Sequence, residues 1–284
     1  MEHQVMEDKY YIKTKDYLIT QKTFFIVKQK NTPYLITKPK PLKKNILSYY
    51  ESNEYDSHKK TATSLFDKVY HFSRDIMLVV KGRLIKKLFK KPAKVLDIGS
   101  GTGEFLLFLK KRGWDVSGYE PSKQIKTHKN DQISYIDLEK DKELEKFDLI
   151  TFWHSLEHVY DLNKTLFKIK SMLSFGGYVI VACPNYKSWD AQYYRESWAA
   201  WDAPRHLRHF SKESIKEIML RFGFKEAINR PLFLDSIYIS IISQKILKSK
   251  APIIKGVLIG LISNLLGFKT KNYSSHVYVF KKAN

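Results

Sequence analysis

Three acids and three glycines carry the chemistry that this sequence offers first. Val95-Leu96-Asp97-Ile98 is an apolar run holding one acid, and Gly99, Gly101 and Gly103 follow at alternate positions, with Ser100 between the first two. Glycines so spaced let backbone approach a ligand closely, and a helix starting directly after them offers unpaired N–H groups. Glu120, followed by Pro121, ends a second apolar run. An acid there can accept both hydroxyls of a ribose. Asp137, followed by Leu138, ends a third run and can accept from an exocyclic amine such as that of adenine. Any one of these acids alone reads equally well as a cap or a surface group. The three in register draw a polar line of nucleoside size.

Two cofactor classes compete for such a line. The dinucleotide fingerprint wants Gly-x-Gly-x-x-Gly, whereas the residue three after Gly101 is Glu104. A negative side chain at the helix start repels a pyrophosphate. A sulfonium cofactor with an amino-acid tail, S-adenosyl-L-methionine, has no phosphate and carries positive charge, so acidic surroundings suit it.

A second constellation is His154-Ser-Leu-Glu157-His158, followed far downstream by Asp202, Arg205, His206 and His209. On a helical turn the side chains of 154, 157 and 158 share a face. Two imidazoles and a carboxylate suit a divalent metal. Neutral imidazole also suits removal of a proton from an attacking hydroxyl, with His158 or His209 the first choice. Histidines that merely hydrogen-bond the fold are the third reading, and the predicted site includes no metal. Trp189, Tyr193, Tyr194, Trp198 and Trp201 crowd the segment between these groups. Such rings suit a flat or sugar acceptor face, or the packing of a lid. Trp198, Trp201, Asp202, Arg205 and His206 are the predicted acceptor contacts.

The elements that must position these groups alternate from Ala93 onward. Predicted strands are 93–98, 115–119, 133–138, 147–153 and 177–182, with two more at 224–233 and 276–281. Helices fall between them, as at 162–173, where Leu162, Leu166, Ile169 and Leu173 share a face, and after Ser211, with Ile215, Ile218, Met219 and Phe222 buried and Gly223 as the stop. Alternation of this kind predicts an α/β domain with a doubly wound, mostly parallel sheet. Residues 71–89 predict a helix with Ile76, Val79, Val80, Leu84, Ile85 and Leu88 on one face and a lysine-rich end. Ahead of it, residues 1–60 form a β-rich appendage, with short strands at 17–20 and 22–30 and breaks at Pro33, Pro39 and Pro41. Residues 49–58 read as a surface segment or a lid. The catalytic domain is placed at 61–284.

Charge and cysteine usage limit the partners. The chain has 284 residues, 50 Lys+Arg against 29 Asp+Glu, a formal charge of +21 and one cysteine, Cys183. A single cysteine excludes a disulfide framework and fits a reducing, cytoplasmic setting. The first residues lack the layout of a secretory signal. Such a basic chain suggests nucleic acid or an anionic membrane surface, yet only eight of its basic residues are Arg, the usual reader of phosphates and bases. A lysine-rich surface without a partner explains the charge as well. Ala251–Phe268 is apolar and just long enough to span a bilayer, but Lys255, Ser263, Asn264 and three glycines favour a buried or surface-lying helix. Peripheral contact at the inner membrane surface, through the basic and apolar C-terminal helices, is the partner expectation beside a small-molecule, glycan- or lipid-linked acceptor.

Asp97-x-Gly99-x-Gly101-x-Gly103, Glu120-Pro121, residues 147–158, Leu173–Asn185 and Trp201–Ser211 together resemble class I S-adenosylmethionine-dependent methyltransferases, in the branch grouped with ubiquinone-biosynthesis-type O-methyltransferases. The resemblance implies a seven-stranded sheet with an antiparallel last strand. It implies that Asp97 and the glycines hold the methionine part, Glu120 the ribose and Asp137–Leu138 the adenine edge, with Trp153 and His154 beside the cofactor. Relatives with a similar front end carry paired cysteines as a zinc ribbon; here Gln29 and Thr32 stand in their place. Phe24, Phe25, Ile26, Tyr34 and Leu35 must then hold that region by packing. O-methylation of a small, sugar- or lipid-linked acceptor follows as the expected reaction. A basic nucleic-acid-binding protein, an RNA methyltransferase, and a cofactor-binding protein without catalysis are the alternatives.

Overall fold

Runs such as Val95-Leu96 and Leu149-Ile150 bury successive side chains, which requires cover on both faces of a sheet. In the computed structural model, which describes residues 8–50, 65–121, 131–138 and 145–283, all four are fully buried. The chain opens with β1 (Lys9–Lys15), β2 (Thr23–Lys28) and β3 (Leu35–Lys38), then a short 3-10 stretch at Lys43–Tyr50. Next come α1 (Leu65–Leu88), β4 (Lys94–Ile98), α2 (Glu104–Lys110), β5 (Asp115–Tyr119), β6 (Ser134–Tyr135) and β7 (Phe147–Trp153). They are followed by α3 (Leu162–Met172), β8 (Leu173–Pro184), α4 (Trp189–Tyr194), β9 (Arg208–His209) and α5 (Lys212–Arg221). The chain closes with β10 (Phe224–Pro231), α6 (Phe233–Ile246), α7 (Pro252–Thr270) and β11 (Ser275–Lys282).

The main sheet has seven strands in the order β10-β11-β8-β7-β4-β5-β6. β4, β5, β6, β7 and β8 are mutually parallel, and β11 runs antiparallel to both β8 and β10. The expected doubly wound sheet with one reversed strand is therefore present. Val95, Leu149 and Ile180 face a layer containing Leu84, Ile85, Leu106 and Leu109 of α1 and α2. Leu96, Ile150 and Val179 face Leu166, Ile169, Ile215 and Met219 of α3 and α5. Ser211 caps α5 in a reciprocal capping box with Ser214, as its position before the apolar pattern predicts.

Several expectations are corrected. Residues 17–20 form a turn, not a strand, because the Asp16 carboxylate accepts from the backbone N–H groups of Leu18, Ile19 and Thr20. The first strand is β1, whose polar-rich KYYIKTK run hides its pairing with β2. The strand at 133–138 shrinks to Ser134–Tyr135 and that at 177–182 lengthens to Leu173–Pro184. On α1, Leu84 and Ile85 are buried while Ile76, Val79 and Val80 are exposed. Phe24, Ile26, Tyr34 and Leu35 are buried and Phe25 is exposed. Of the 49–58 stretch, residues 51–58 lie outside the described residues.

The N-terminal strands form a second sheet, β1-β2-β3-β9, whose last strand comes from beyond the parallel strands of the main sheet in sequence. Leu35 and Ile36 pair with His209 and Arg208. A buried ion pair joins the same two regions: Arg205 donates to Asp16 Oδ1 at 3.0 Å and to Asp202 Oδ1 at 2.8 Å.

Candidate active site

The glycine loop closes β4 against the end of β5. Gly99 and Ser100 N–H both donate to the Tyr119 carbonyl, at 2.8 and 3.2 Å, and Gly101 N–H donates to Glu120 Oε2 at 3.0 Å. Two glycines are required where they stand. Gly99 has φ +77°, and a Cβ there would lie 2.5 Å from Ser155 Cβ; Gly103 has φ +82°, and a Cβ there would lie 2.3 Å from Ile133 Cδ1. A Cβ on Gly101 would instead meet no atom within 4 Å, so backbone at this point faces open space.

Around that space stand the predicted acids. Asp97 is buried and accepts from Thr151 Oγ1 at 2.6 Å. Burial raises its pKa to about 6, against the opposing pull of the Thr151 hydrogen bond and the Lys81 charge. Glu120 is buried at the end of β5, and Pro121 beside it is exposed. Asp137 and Leu138 are half-buried beyond β6, held near β5 by the Ile136 N–H to Gly118 carbonyl bond and by Lys168 Nζ on the Leu138 carbonyl. Trp153 ends β7 with its ring edge against Phe105. Trp153 Nε1 and Ser100 Oγ are buried without a hydrogen-bond partner among the described residues. Buried polar atoms of this kind call for a polar ligand.

Lys81 is the member that sequence reasoning missed. Its Nζ lies 4.4 Å from the Trp153 ring centroid and 5.4 Å from that of Phe105. Burial lowers its pKa, and Asp97, Asp235 and Glu104 oppose that shift. In sequence it is one lysine of a basic helix end; only the turn of α1 over Trp153 sets it apart.

The histidine turn adjoins the loop. Ser155 packs on Gly99, and its hydroxyl donates to the Ile98 carbonyl. His154 has φ +52°, and its Nε2 lies 3.0 Å from Asp235 Oδ2 while Nδ1 lies 3.7 Å from Glu157 Oε1. Burial disfavours its charge, but Asp235 and Glu157 outweigh that and raise its pKa to about 10. A pKa so raised favours the imidazolium at neutral pH, which suits His154 poorly to the catalytic part that its place in the histidine cluster suggests. Glu157 is 1% exposed, and neither carboxylate oxygen has a hydrogen-bond partner among the described residues. Although burial raises its pKa, His154, His206 and His158 bring it below the usual value.

His158 and His206 meet edge to face at 4.5 Å. Burial, then the His206 charge, lowers the His158 pKa to about 4, so its ring is neutral at pH 7. His158 Nδ1 lies 2.9 Å from Tyr50 Oη and 3.1 Å from the Arg205 carbonyl. With its N–H directed at that carbonyl, an obligate acceptor, Nε2 keeps a lone pair. His206 Nδ1 lies 2.9 Å from the Ala200 carbonyl, and its Nε2 lies 3.9 Å from Glu157 Oε1. Glu157, His158 and His206 each offer one ligand atom, all within 4.8 Å of one another, a set that also suits a divalent cation.

Other predicted contacts are used structurally. His209 is buried, with Nε2 2.9 Å from Thr37 Oγ1 and its ring edge on Trp201, and burial holds its pKa well below the usual value. Trp198 and Trp201 are each 1% exposed, and their N–H groups bond Asp190 and the Arg195 carbonyl. They pack the wall and offer an acceptor no surface. Arg205 is equally buried and ties Asp202 to Asp16. Of the five predicted acceptor contacts, only Asp202 and His206 keep accessible side-chain surface beside the histidine pair.

A family model described as "Methyltransferase domain" matches residues 73–226, more than half of the chain. The chain belongs to that family. An uncharacterized methyltransferase of Alkaliphilus oremlandii is 29% identical over 114 residues, 38% of this chain and 52% of that protein, so the chain spans about half the length of this relative. Among solved structures, magnesium protoporphyrin IX methyltransferase from Synechocystis with bound S-adenosylhomocysteine superposes with TM-score 0.56 at 13% identity, over 85% of this chain and all of that one. An S-adenosylmethionine-dependent methyltransferase from Archaeoglobus fulgidus gives TM-score 0.51 at 20% identity, covering 77% and 98%. The methyltransferase fold expected from the loop and strand order is thereby matched.

Proposed function

We propose that this methyltransferase moves the methyl group of S-adenosylmethionine to a hydroxyl oxygen of a small, sugar- or lipid-linked acceptor, as its resemblance to ubiquinone-biosynthesis-type enzymes suggests. One observation carries the reading: the neutral His158 imidazole, backed by His206 and Glu157, sits on the turn that Ser155 pins to the glycine loop. When bound, S-adenosylmethionine supplies a methyl group already activated on a sulfonium, so the protein needs only to orient, exclude water and take a proton.

Several residues fit the cofactor. Glu120 accepts from the ribose hydroxyls, and the Asp137–Leu138 edge meets the adenine. The open backbone at Gly101 and the buried Ser100 and Trp153 donors receive the amino-acid end. Lys81 pairs with its carboxylate and Asp97 with its ammonium. His158 holds the acceptor hydroxyl and takes its proton through Nε2, and the ionised Glu157 steadies the resulting charge. Tyr50 and the Arg205 carbonyl fix the ring orientation.

The test is turnover with a panel of phenols, sugars, carboxylates and amines, followed as S-adenosylhomocysteine release, with mass spectrometry locating the methyl group. A methyl ether is expected, with His158→Gln lowering kcat while the Kd of S-adenosylhomocysteine stays unchanged. A methylated nitrogen would overturn the oxygen assignment. The 4.8 Å ligand set favours a second reading, a divalent cation that binds the acceptor oxygen; activity abolished by EDTA and restored by Zn²⁺ or Mn²⁺ selects it.

A further inference from the structure

The hairpin of α6 and α7 is built with its polarity inverted. On α7 the small residues Gly256, Gly260, Ser263 and Gly267 face the protein. A Cβ on Gly256 would lie 2.5 Å from Ile241 Cα, and one on Gly260 2.6 Å from Ile237 Cα, so the two helix backbones touch. Ser263 donates to the buried Asp190 carboxylate at 2.7 Å, which fastens the helix to the domain. The large side chains therefore point away: Ile254 and Leu265 are each 73% exposed, Phe268 69% and Leu258 56%, with Ile253 and Leu261 near half. A water-facing helix normally shows the opposite pattern, and a contiguous apolar face of this kind marks an interaction site.

Charge identifies what covers it. Residues 233–274 contain six lysines, at 245, 248, 250, 255, 269 and 271, and one acid, Asp235. That acid is turned to His154. Lysines flank the apolar face at both ends, where a second copy of the chain would meet like charge and an anionic lipid surface would meet opposite charge. Basic side chains beside such a surface contribute about 1 kcal/mol each. α7 is long and apolar enough to cross a membrane, but its Gly256–Gly267 side is fixed on α6 and Asp190, which keeps it lying along the domain.

We propose that the outer face of α6–α7 docks the protein peripherally on an anionic bilayer, with the apolar side chains in the headgroup boundary and the lysines on the lipid phosphates. The docked face lies one layer from the site. Tyr194 Oη donates to the Ser240 carbonyl and Ala199 N–H to Ser243 Oγ, so α6 backs the aromatic wall beside the histidine pair. Docking through this face is compatible with any methyl acceptor.

The test is co-sedimentation of the full chain with phosphatidylcholine vesicles, with and without phosphatidylglycerol, at about 0.05 and 0.5 M salt, across which exposed-charge attraction is strongly screened. Binding is expected only with phosphatidylglycerol, weaker at high salt, and released by alkaline carbonate. Leu258→Glu with Leu265→Glu should weaken it by at least about tenfold, since charge replaces the inserted apolar surface. Its melting temperature and S-adenosylhomocysteine affinity should match wild type, both positions being exposed. Lys248→Glu with Lys250→Glu, outside the apolar face, should weaken binding in the same direction. Wild type remaining in the supernatant with anionic vesicles overturns the proposal. So does a dimer in light scattering that the Leu258/Leu265 variant dissociates, and so does resistance to carbonate, which would mean a span.

Discussion

Replacing Glu120 by Gln tests the cofactor assignment with little change in shape. The carboxylate is buried and already accepts Gly101 N–H through Oε2 at 3.0 Å. Gln keeps one carbonyl oxygen for that loop bond, so the glycine turn survives. It loses the charge and turns an N–H₂ toward the position of the ribose hydroxyls, where an acceptor is needed. A hydrogen bond to a charged group contributes about 1.5–3 kcal/mol net, a neutral one about 0.5–1.5. The difference, summed over two hydroxyls and discounted for the adaptability of a hydroxyl donor, is about 1–3 kcal/mol. That corresponds to about 5- to 150-fold in Kd. Calorimetric titration with S-adenosylhomocysteine, which is not turned over, reads it directly, and a melting curve checks the loop. A Kd within about twofold of wild type in a variant that melts normally would refute the ribose role of Glu120 and the register assigned to the three acids.

Three other perturbations probe different parts of the site. Lys81→Met should raise the Kd of S-adenosylhomocysteine about three- to tenfold and leave adenosine binding unchanged; an equal loss for both ligands would remove Lys81 from the tail. Asp235→Asn should lower the His154 pKa from about 10 toward its ordinary value. Because the folded value is raised, the pair stabilises fully below about pH 6.5 and ceases to do so as pH passes 10. The melting-temperature gap between wild type and Asp235→Asn should therefore be wide near pH 6 and closed above 10, and a gap independent of pH would contradict the pair. Asp16→Asn removes one of the two carboxylates paired with the buried Arg205, and should cost up to about 3–5 kcal/mol in urea denaturation; a loss below about 1 kcal/mol would make the tie incidental.

The central sheet was legible because its strands are buried on both faces and read as short apolar runs between turn signals. Val95–Ile98 and Phe147–Trp153 needed no tertiary information. In the N-terminal sheet the strand at 22–30 was legible, but the closure was not, because the closing pair joins Leu35 to His209, and no local pattern encodes such a partner. Trp198, Trp201 and Arg205 were read as acceptor contacts from residue type alone. Asp190, the Arg195 carbonyl and Asp16 satisfy their donors internally, a matter of burial that composition does not carry. Lys81 was invisible for a related reason: the exposed Ile76, Val79 and Val80 blur the helical face that would have shown which lysine turns inward. The glycines of α7 were visible at spacings of four and seven residues, yet their meaning lies in which side they present to α6.

The acid–base properties of the site follow from two carboxylates and from burial. Glu157 is enclosed without a hydrogen-bond donor among the described residues, so its charge must be offset by neighbouring imidazoles. His154 can meet that demand because Asp235 assists it from α6, and the two acids together hold it protonated. With the charge of Glu157 offset on that side, His158 responds chiefly to burial and to His206, and both depress its pKa. Two carboxylates, Asp235 and Glu157, thus raise the pKa of His154, while burial and His206 lower that of His158 four residues on. The sequence His154-Ser-Leu-Glu157-His158 contains all three groups, but Asp235, supplied from a helix begun some eighty residues later, determines which histidine is left to take a proton.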